Sequence, residues 1–548
     1  MSPRFETLPR DILQTIAFLS ASSSAFEPPI EILHLLLTHP QIYRSLRVSS
    51  APDLYAHIFF TKFDTRAPIR RFSGQLPDSA FAAELLARCR LLRRVHRVDF
   101  SSAGLKQDLW TALWMFLESD GLNERQLSQV NFSDFILGLA RSELLRDTTS
   151  HPSRPDRINL KPTSIIVWLL CLGLHRRVIL DMSTQDRDAL YGMIFPFIFL
   201  SKKTVACTSR PTACPSSPSR VVSRVGVPGE LADVSTYLQN YKPLVPDPST
   251  AAINLAFAIF EFNRPKVPYH VPKTRAIAIA SQRVGPTQED YEALASYLTP
   301  LFADSIPIIS TENRQSSSPL SIGFTSNASR SIMHDIQFSE IWNNLSGKMS
   351  TYVPISTYVP GSLTGVWEGV HRTVDSPLAA TACSPVNPLV TMVIIKPMHF
   401  SLTEYISDDL SVGPDKGSGY LSDLLDIKRG PSEVYIGGRT YRKYQPLNSN
   451  KGESNAALSD VILLGETTEV HDHAWGPHKF TGRVHRDGLI ELLREQKHED
   501  GDAQGLWIFE GRLHLETAFL GRWRITGAPD DADHGIFSLE KSHDRNEE

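Results

Sequence analysis

Histidines near the carboxyl-terminal end come closest to a chemical site in their type and spacing. His471, Asp472 and His473 follow one another, and His478 comes five positions later. In a β-strand, His471 and His473 would project from the same face, as two ligands of a metal ion would. A third ligand would have to be His478, beyond a Gly-Pro turn, because no Glu follows where a His-x-His metal motif needs one. We therefore predict polar histidines at the rim of a barrel and no bound metal.

Motifs that would mark a catalytic centre are absent from the sequence. It contains no Gly-x-Ser-x-Gly, no phosphate-binding loop, no His-Glu-x-x-His and no Gly-x-Gly-x-x-Gly. We predict no catalytic residues, no cofactor and no enzymatic activity.

The bulk composition restricts the class of partner. Lys and Arg number 56 against 60 Asp and Glu, a net charge of −4, which gives no basic excess for a nucleic acid or a membrane surface. The five cysteines are an odd number without Cys-x-x-Cys spacing, which favours reduced thiols in a cytosolic or nuclear protein. At 548 residues, the chain should form roughly three or four units.

Helical periodicity dominates the amino-terminal part of the chain. Residues 5–65 have a helical pattern, and residues 80–345 have one as well, interrupted near 206–230 by a Ser- and Pro-rich segment that we predict to be a disordered loop. Trp110 and Trp114, four residues apart, indicate core packing. In the first helix, apolar residues recur at three- and four-residue steps: Leu8, Ile12, Leu13, Ile16 and Leu19.

From about residue 360 the apolar period changes to two, which is typical of β-strands. Gly437-Gly438 and Asp487-Gly488 each separate two short alternating runs, as in tight hairpins. Aromatic and other apolar residues also alternate over Trp507–Leu513 and Phe519–Ile525, as in strands with one inward face. Many short strands with glycine turns predict a closed antiparallel barrel over 360–540, because closure leaves no exposed sheet edge. The expected fold class is therefore multidomain α+β.

The first helix resembles the opening helix of the F-box. Its residues Leu8-Pro9-x-Asp11-Ile12-Leu13, followed by Ile16 and Leu19, match a pattern of Leu-Pro, an acidic residue and aliphatics one turn apart. The segments Leu54–Phe59 and Lys62–Asp64 resemble the end of this element in a group of fungal F-box proteins. The usual Cys-Arg/Lys-x-Trp segment is missing, and a Ser-rich loop lengthens the spacing after the first helix.

The carboxyl-terminal part resembles the lipocalin-like barrel of the same group. Gly465-Glu466-Thr467, Asp487–Ile490 and Gly521-Arg522-Trp523-Arg524 carry this likeness. Gly365-Val366-Trp367 resembles the Gly-x-Trp of a first lipocalin-like strand. The resemblance implies that Arg522 or Arg524, beside Trp523, crosses Trp367 and closes that end of the barrel.

The resemblance implies an adaptor of a Skp/cullin/F-box-type ubiquitin ligase. Leu8, Pro9, Ile12, Leu13, Ile16 and Leu19 would then contact the Skp-type adaptor subunit bound to the cullin scaffold, and the carboxyl-terminal barrel would bind a protein substrate. Two alternatives stay open from the sequence. One is a barrel that binds a small hydrophobic ligand, and the other is a metal-dependent enzyme built on His471 and His473.

Overall fold

The computed structural model divides the chain into two compact units. It describes residues 8–23, 28–72, 76–150, 160–198, 246–260, 267, 269–297, 330–342, 358–373, 395–407, 427–430, 433–436, 438–445, 460–485, 488–497, 506–514, 518–526 and 534–542. The first unit, here the helical unit, comprises Met1–Leu174, Phe199–Pro248 and Ser305–Pro354. The second, here the barrel unit, comprises His175–Ile198, Ser249–Asp304 and Ile355–Glu548. The predicted loop near 206–230 lies outside the described residues.

Helices, numbered in chain order across both units, account for the described part of the helical unit. They are α1 (Arg10–Ala21), α2 (Ile30–Thr38), α3 (Pro40–Leu46), α4 (Pro52–Lys62), α5 (Arg66–Arg71), α6 (Asp78–His96), α7 (Leu105–Leu117), α8 (Leu122–Gln129), α9 (Phe132–Ser150), α10 (Leu160–Gly173), a 3-10 helix (Arg330–His334) and α16 (Asp335–Trp342). Within the part of the chain that the structure describes, no helix is both long and apolar enough to cross a membrane.

Apolar residues at helical spacing hold the helical unit together. α1 buries Leu13, Ala17 and Ala21, which lie four residues apart on one face. Trp110 and Trp114 of α7 stack with ring centres 5.5 Å apart and are buried, which confirms the prediction of core packing.

A buried arginine joins distant parts of the helical unit. Arg71 lies 2.8 Å from a carboxylate oxygen of Asp335 and donates to the carbonyl oxygens of Leu117 and Ser331. Its guanidinium carbon also lies 4.2 Å from the ring centre of Phe338. These contacts provide the pairing and hydrogen bonds that a buried cation requires.

The barrel unit contains six further helices in its described part. They are α11 (Arg176–Asp181), α12 (Thr184–Ile198), α13 (Pro248–Phe260), α14 (Arg275–Ala280), α15 (Gln288–Tyr297) and α17 (Glu469–Trp475). α13 packs on the barrel, since Asn254 and His514 approach to 3.3 Å and the guanidinium of Arg372 lies 5.0 Å from the ring centre of Phe260. The helices that the sequence grouped into one middle region are thus divided between the two units.

Eight strands close into an antiparallel barrel, as predicted. They are β1 (Gly365–Thr373), β2 (Ile395–Ser407), β6 (Val461–Thr467), β7 (His478–Val484), β8 (Ile490–Gln496), β9 (Trp507–His514), β10 (Ala518–Ile525) and β11 (His534–Lys541). Consecutive strands of this set are neighbours, and β1 pairs with both β2 and β11. β3 (Lys428–Arg429), β4 (Glu433–Ile436) and β5 (Arg439–Lys443) continue the sheet beyond the end of β2.

Both predicted hairpins are present. β4 pairs with β5 across a turn in which Gly438 has a φ of 80°, and β7 pairs with β8 across a turn in which Gly488 has a φ of 77°. Such left-handed backbone is what glycine tolerates best. The alternating aromatic residues of the last strands also lie in β9, β10 and β11, as their period indicated.

One end of the barrel is closed by a turn before β1. Glu404 accepts hydrogen bonds from the backbone N–H groups of Leu363 and Thr364 at 2.6 and 2.7 Å. Trp367 donates from Nε1 to the Leu363 carbonyl at 2.7 Å. Lys541 lies opposite Trp367 in the strand register, and its Nζ donates to a carbonyl of the same turn at 3.0 Å. The expected neighbourhood of Trp367 and the last strand is confirmed.

The register corrects the expected role of Arg522 and Arg524. Arg522 lies opposite Ile536, which lies opposite Arg372, five residues along β1 from Trp367. At about 3.3 Å per residue, this offset is roughly 16 Å, too far for either arginine to cross the indole. The residue opposite Trp367 is Lys541. Trp523 lies toward the other end of the barrel, where its Nε1 donates to the Arg372 carbonyl at 3.0 Å.

Candidate functional site

A cavity of about 430 Å³ lies at the end of the barrel opposite the Trp367 turn, which we call the mouth. Residues of β1, β2 and β6–β9 form its wall together with α17, which connects β6 to β7 at this end. The volume lies in the range of small-molecule and peptide pockets. The basic and aromatic side chains in the wall are His371, Lys396, His399, His471, Trp475, His478, Phe480, Arg494 and Trp507.

Strand pairing determines which side chains share the interior. His371 lies directly opposite Lys396, Phe480 opposite Arg494, and Arg494 opposite Trp507. Directly opposed residues of antiparallel strands project to the same face, so the alternation along each strand brings these groups together.

Arg494 is held against an aromatic stack. Its guanidinium carbon lies 4.1 Å from the ring centre of Trp507, and Nζ of Lys396 lies 5.8 Å from the same ring centre. Trp507 in turn stacks on Trp523, with ring centres 4.6 Å apart and planes inclined by 22°. These cation–π contacts orient both cations without neutralising their charge.

The positive charge of the mouth is not balanced by a carboxylate in the described cavity wall. Asp and Glu are absent from the described residues that line the cavity. The Nε atom of Arg494 is buried and has no hydrogen-bond partner among the described residues. Burial lowers the pKa of Arg494 only to about 10, so the side chain stays protonated at neutral pH.

His371 adds a neutral polar group to the same wall. Its ring lies edge-on to Trp507 and Trp523, with ring centres 5.2 and 5.3 Å away, and neither ring nitrogen has a hydrogen-bond partner within the described chain. Burial lowers the pKa of His371 well below its usual value, and the charge of Arg494 lowers it further. The neutral imidazole therefore offers one donor and one acceptor.

The segment that suggested a metal site is a helix rather than a strand. Glu469–Trp475 forms α17, with acidic residues in its first turn and Gly476 at a φ of 86° directly after it, both of which favour a short helix here. Residues two apart on a helix point in different directions, so His471 lines the cavity while His473 is exposed. The strand interpretation of His471 and His473 was wrong.

His471 instead stacks on His399 of β2. Their ring centres are 3.7 Å apart, and the planes are inclined by 5°. Burial lowers the pKa of His399 to about 3, with a further contribution from His471, and burial also lowers the pKa of His471 to about 4. Both imidazoles are therefore neutral at physiological pH, and the stack joins α17 to the barrel wall.

The arrangement is suited to holding an anion that carries an apolar or aromatic body. Arg494 and Lys396 supply charge, His371 supplies hydrogen bonds, and Trp507 and Phe480 supply apolar surface. The Thr467 hydroxyl accepts a hydrogen bond from the backbone N–H of His478 at 2.9 Å, so it is already engaged. The geometry supports binding by charge and shape.

The residues predicted to contact the adaptor subunit lie directly before α1 or on two sides of it. Ile12, Leu19 and Pro9 are exposed, with Leu19 at 64%, whereas Leu13 is buried. Leu8 and Ile16 are half-buried. Further exposed apolar residues lie on α2 and α3: Ile30, Leu33, Leu37 and Tyr43.

The basic residues of the mouth were missed by the sequence analysis. Arg494 follows Leu492 by two positions on a predicted strand whose alternate residues face inward, and Lys396 precedes Met398 in the same way. A cation at an inward position of a barrel strand was therefore the available signal. Trp507 was recognised as an alternating strand residue but not as part of a site.

A scan against protein-family models, a search of curated proteins and a search of solved structures each found no match. Among the described residues, no group of three or more His, Cys, Asp or Glu side chains is arranged to hold a metal ion.

Proposed function

We propose that this chain is a substrate-recruiting adaptor of a Skp/cullin/F-box-type ubiquitin ligase, in which the barrel mouth binds an anionic group of the substrate. The F-box would lie in α1–α4, and the barrel would be lipocalin-like. Substrate recognition is the part of this proposal that the mouth supports. Two cations and an aromatic stack line its cavity, and the described wall contains no carboxylate.

Arg494 supports a binding role for the mouth, because it is a half-buried cation without a carboxylate partner in the described cavity wall. Removing a charge from water costs several kcal/mol unless a partner offsets the loss. Arg494 has aromatic contacts but no carboxylate in the described cavity wall. An incoming anion would supply that partner, so the arrangement is consistent with selection for binding rather than for stability.

The exposed apolar residues of α1–α3 support the docking half. A soluble surface seldom exposes large apolar residues in one group unless another surface covers them. Leu19 on α1 and Leu37 on α2 are 64% and 76% exposed, and α1 packs against α2. A partner helix would cover such side chains by the helix-in-groove mode.

Substituting Arg494 tests the recognition half. We expect Arg494→Met to weaken binding of anilinonaphthalene sulfonate, a fluorescent aromatic anion, by about tenfold to a hundredfold, because a charge-assisted hydrogen bond contributes roughly 1.5–3 kcal/mol. The measurement is a fluorescence titration of the full chain, with near-ultraviolet circular dichroism to check barrel packing.

Arg524→Met is the matched control, since Arg524 pairs with Glu510 at 3.1 Å, away from the cavity lining. We expect this variant to bind the probe like the original chain. Equal affinities in the original chain and in Arg494→Met would contradict the proposed role of the mouth.

A second candidate is a barrel that carries a small anionic ligand, and the same cavity favours it. The two functions differ in their partners. Copurification of a Skp-type adaptor and a cullin with the full chain supports the ligase adaptor, whereas a small acid that stays bound in native mass spectrometry, without those partners, supports the carrier.

A further inference from the structure

An exposed surface beside the mouth has the composition of a peptide-binding ridge. Its apolar members are Tyr269, Ile277, Ile279 and Val284, and Tyr269 and Val284 are 92% and 80% exposed. Between Val267 and Gln288 the sequence contains Lys and Arg but no Asp or Glu. We call the exposed residues of this surface, Tyr269, Lys273, Ile277, Ile279, Arg283 and Val284, the ridge.

The helix at the centre of the ridge exposes its apolar face. In α14 only Ala278 is buried, whereas Ile277 and Ile279 are exposed. A surface helix of a globular domain normally turns its larger apolar residues inward. Polar contacts fix α14 instead, since Thr274 caps the backbone N–H of Ile277 and Arg275 pairs with Asp290 at 2.6 Å.

The ridge is joined to the mouth by direct contacts within the barrel unit. The Gly285 N–H donates to the carbonyl of His473 in α17 at 3.2 Å. Tyr291 of α15 lies edge-on to Trp475, with ring centres 5.6 Å apart, and Trp475 also lines the cavity. Trp475 therefore lines the cavity and also contacts α15, the helix that follows the ridge in the chain.

We propose that the ridge docks an acidic, apolar peptide segment that adjoins the anionic group bound in the mouth. The inference rests on the proposed function and deepens it, because it makes the ligand part of a polypeptide. Charge complementarity selects the partner. Lys273 and Arg283 are exposed, and two neighbouring acids are engaged, since Asp290 pairs with Arg275 and Glu289 accepts a hydrogen bond from the Arg275 N–H.

The chemistry of the partner follows from the surface. Acidic side chains would pair with Lys273 and Arg283, and alternate apolar side chains would cover Ile277, Ile279 and Tyr269. Exposed ion pairs contribute little affinity by themselves but strongly affect the choice of partner. The apolar contacts should therefore supply affinity, and the cations should exclude basic peptides.

A charge-reversal experiment tests the proposal on the full chain. The probe is a short fluorescein-labelled peptide that alternates leucine and aspartate, with a leucine–lysine peptide as its counterpart. We expect Lys273→Glu with Arg283→Glu to weaken binding of the acidic peptide at least tenfold and to improve binding of the basic peptide, as measured by fluorescence anisotropy. Lys443→Glu, at an exposed position on β5, is the matched control.

The outcomes separate this proposal from the proposed function. Unchanged affinity of the acidic peptide for the ridge variant would overturn the proposed peptide binding. A failure of the acidic peptide to bind the original chain would overturn it as well. Self-association that Ile277→Ser with Ile279→Ser abolishes would assign the ridge to a second copy of the chain and would also overturn it. The part of anilinonaphthalene sulfonate binding that Arg494→Met removes reports on the mouth, and we expect the ridge variants to leave that part unchanged.

Discussion

At the scale of single residues, His399 and His471 in the wall of the mouth make the stability of the folded chain depend on pH. Both rings are neutral in the folded chain, with pKa values of about 3 and about 4, and burial is the main cause. In the unfolded chain, each pKa returns to about 6.5. The stability that depends on this difference is present above about pH 6.5 and is lost as the pH falls toward 4, because the unfolded state binds protons first.

We predict that the double variant His399→Asn with His471→Asn flattens the dependence of stability on pH. Between pH 7 and pH 4.5, the original chain should lose roughly 2–5 kcal/mol more unfolding free energy than the variant, because two histidines can take up protons only on unfolding. Arg275, whose charge lowers both pKa values, and Asp290, whose charge raises them, are unchanged in the comparison. Urea unfolding at several pH values measures the difference, and parallel curves for the two proteins would exclude this role of the pair.

The sequence could indicate which residues face a common interior but not which interior positions form a site. Phe509 and Trp523 were assigned to barrel strands by their alternation, and both are buried. Arg494 obeys the same alternation, yet its role depends on Trp507 lying opposite it in the next strand, a pairing that only the register defines. A site formed from neighbouring strands cannot be recognised from one strand at a time.

At the scale of elements, α17 shows where the local sequence pattern did not distinguish a helix from a strand. Seven residues of α17 are too few to establish a helical period, and His-Asp-His also fits the alternation of a strand. The decisive features are at its ends. Gly476 has a φ of 86°, and the backbone N–H of His471 donates to the Thr468 carbonyl at 2.8 Å. Turn geometry therefore determined the outcome, and histidine spacing did not.

The turn that closes the other end of the barrel depends on one carboxylate. Glu404 is fully buried and accepts hydrogen bonds from the backbone N–H groups of Leu363 and Thr364. We predict that Glu404→Gln destabilises the chain by about 2–4 kcal/mol. The amide has no negative charge, and its NH2 group is a hydrogen-bond donor that would face backbone N–H groups, which are donors as well. Urea unfolding followed by tryptophan fluorescence measures the change.

Glu368→Gln, at a half-buried position on β1, is the control for this prediction, and we expect it to change stability by less than about 0.5 kcal/mol. Equal effects of the two substitutions would show that the turn does not depend on the Glu404 carboxylate.

At the scale of the whole molecule, the sequence predicted helices followed by a carboxyl-terminal barrel. It did not predict which helices belong to the barrel unit. The change of period near residue 360 correctly separated helices from barrel strands, because the two periods differ over many residues. The assignment of α12 and α13 required tertiary contacts, since Phe260 of α13 packs against Arg372 of the barrel and Tyr191 of α12 packs on Phe260. A helical pattern states that a face is buried, and it does not state which partner buries it.

The last prediction concerns the proposed docking of the whole chain to a ubiquitin ligase. Ile12 and Leu19 are exposed on α1. The buried face of this helix is formed by Leu13, Ala17 and Ala21. Serine at positions 12 and 19 should therefore leave the helical unit folded, whereas burial of each apolar side chain by a partner contributes up to roughly 1.5–3 kcal/mol. We expect Ile12→Ser with Leu19→Ser to weaken copurification with a Skp-type adaptor and cullin at least tenfold, since about 1.4 kcal/mol corresponds to one decade. Leu86→Ser, at an exposed position on α6, should leave copurification unchanged.

The double variant should still bind anilinonaphthalene sulfonate through the mouth. It should also act as a dominant inhibitor of degradation, because it holds substrate without the ligase. Normal recovery of adaptor and cullin by this variant would remove the physical basis for an F-box in α1.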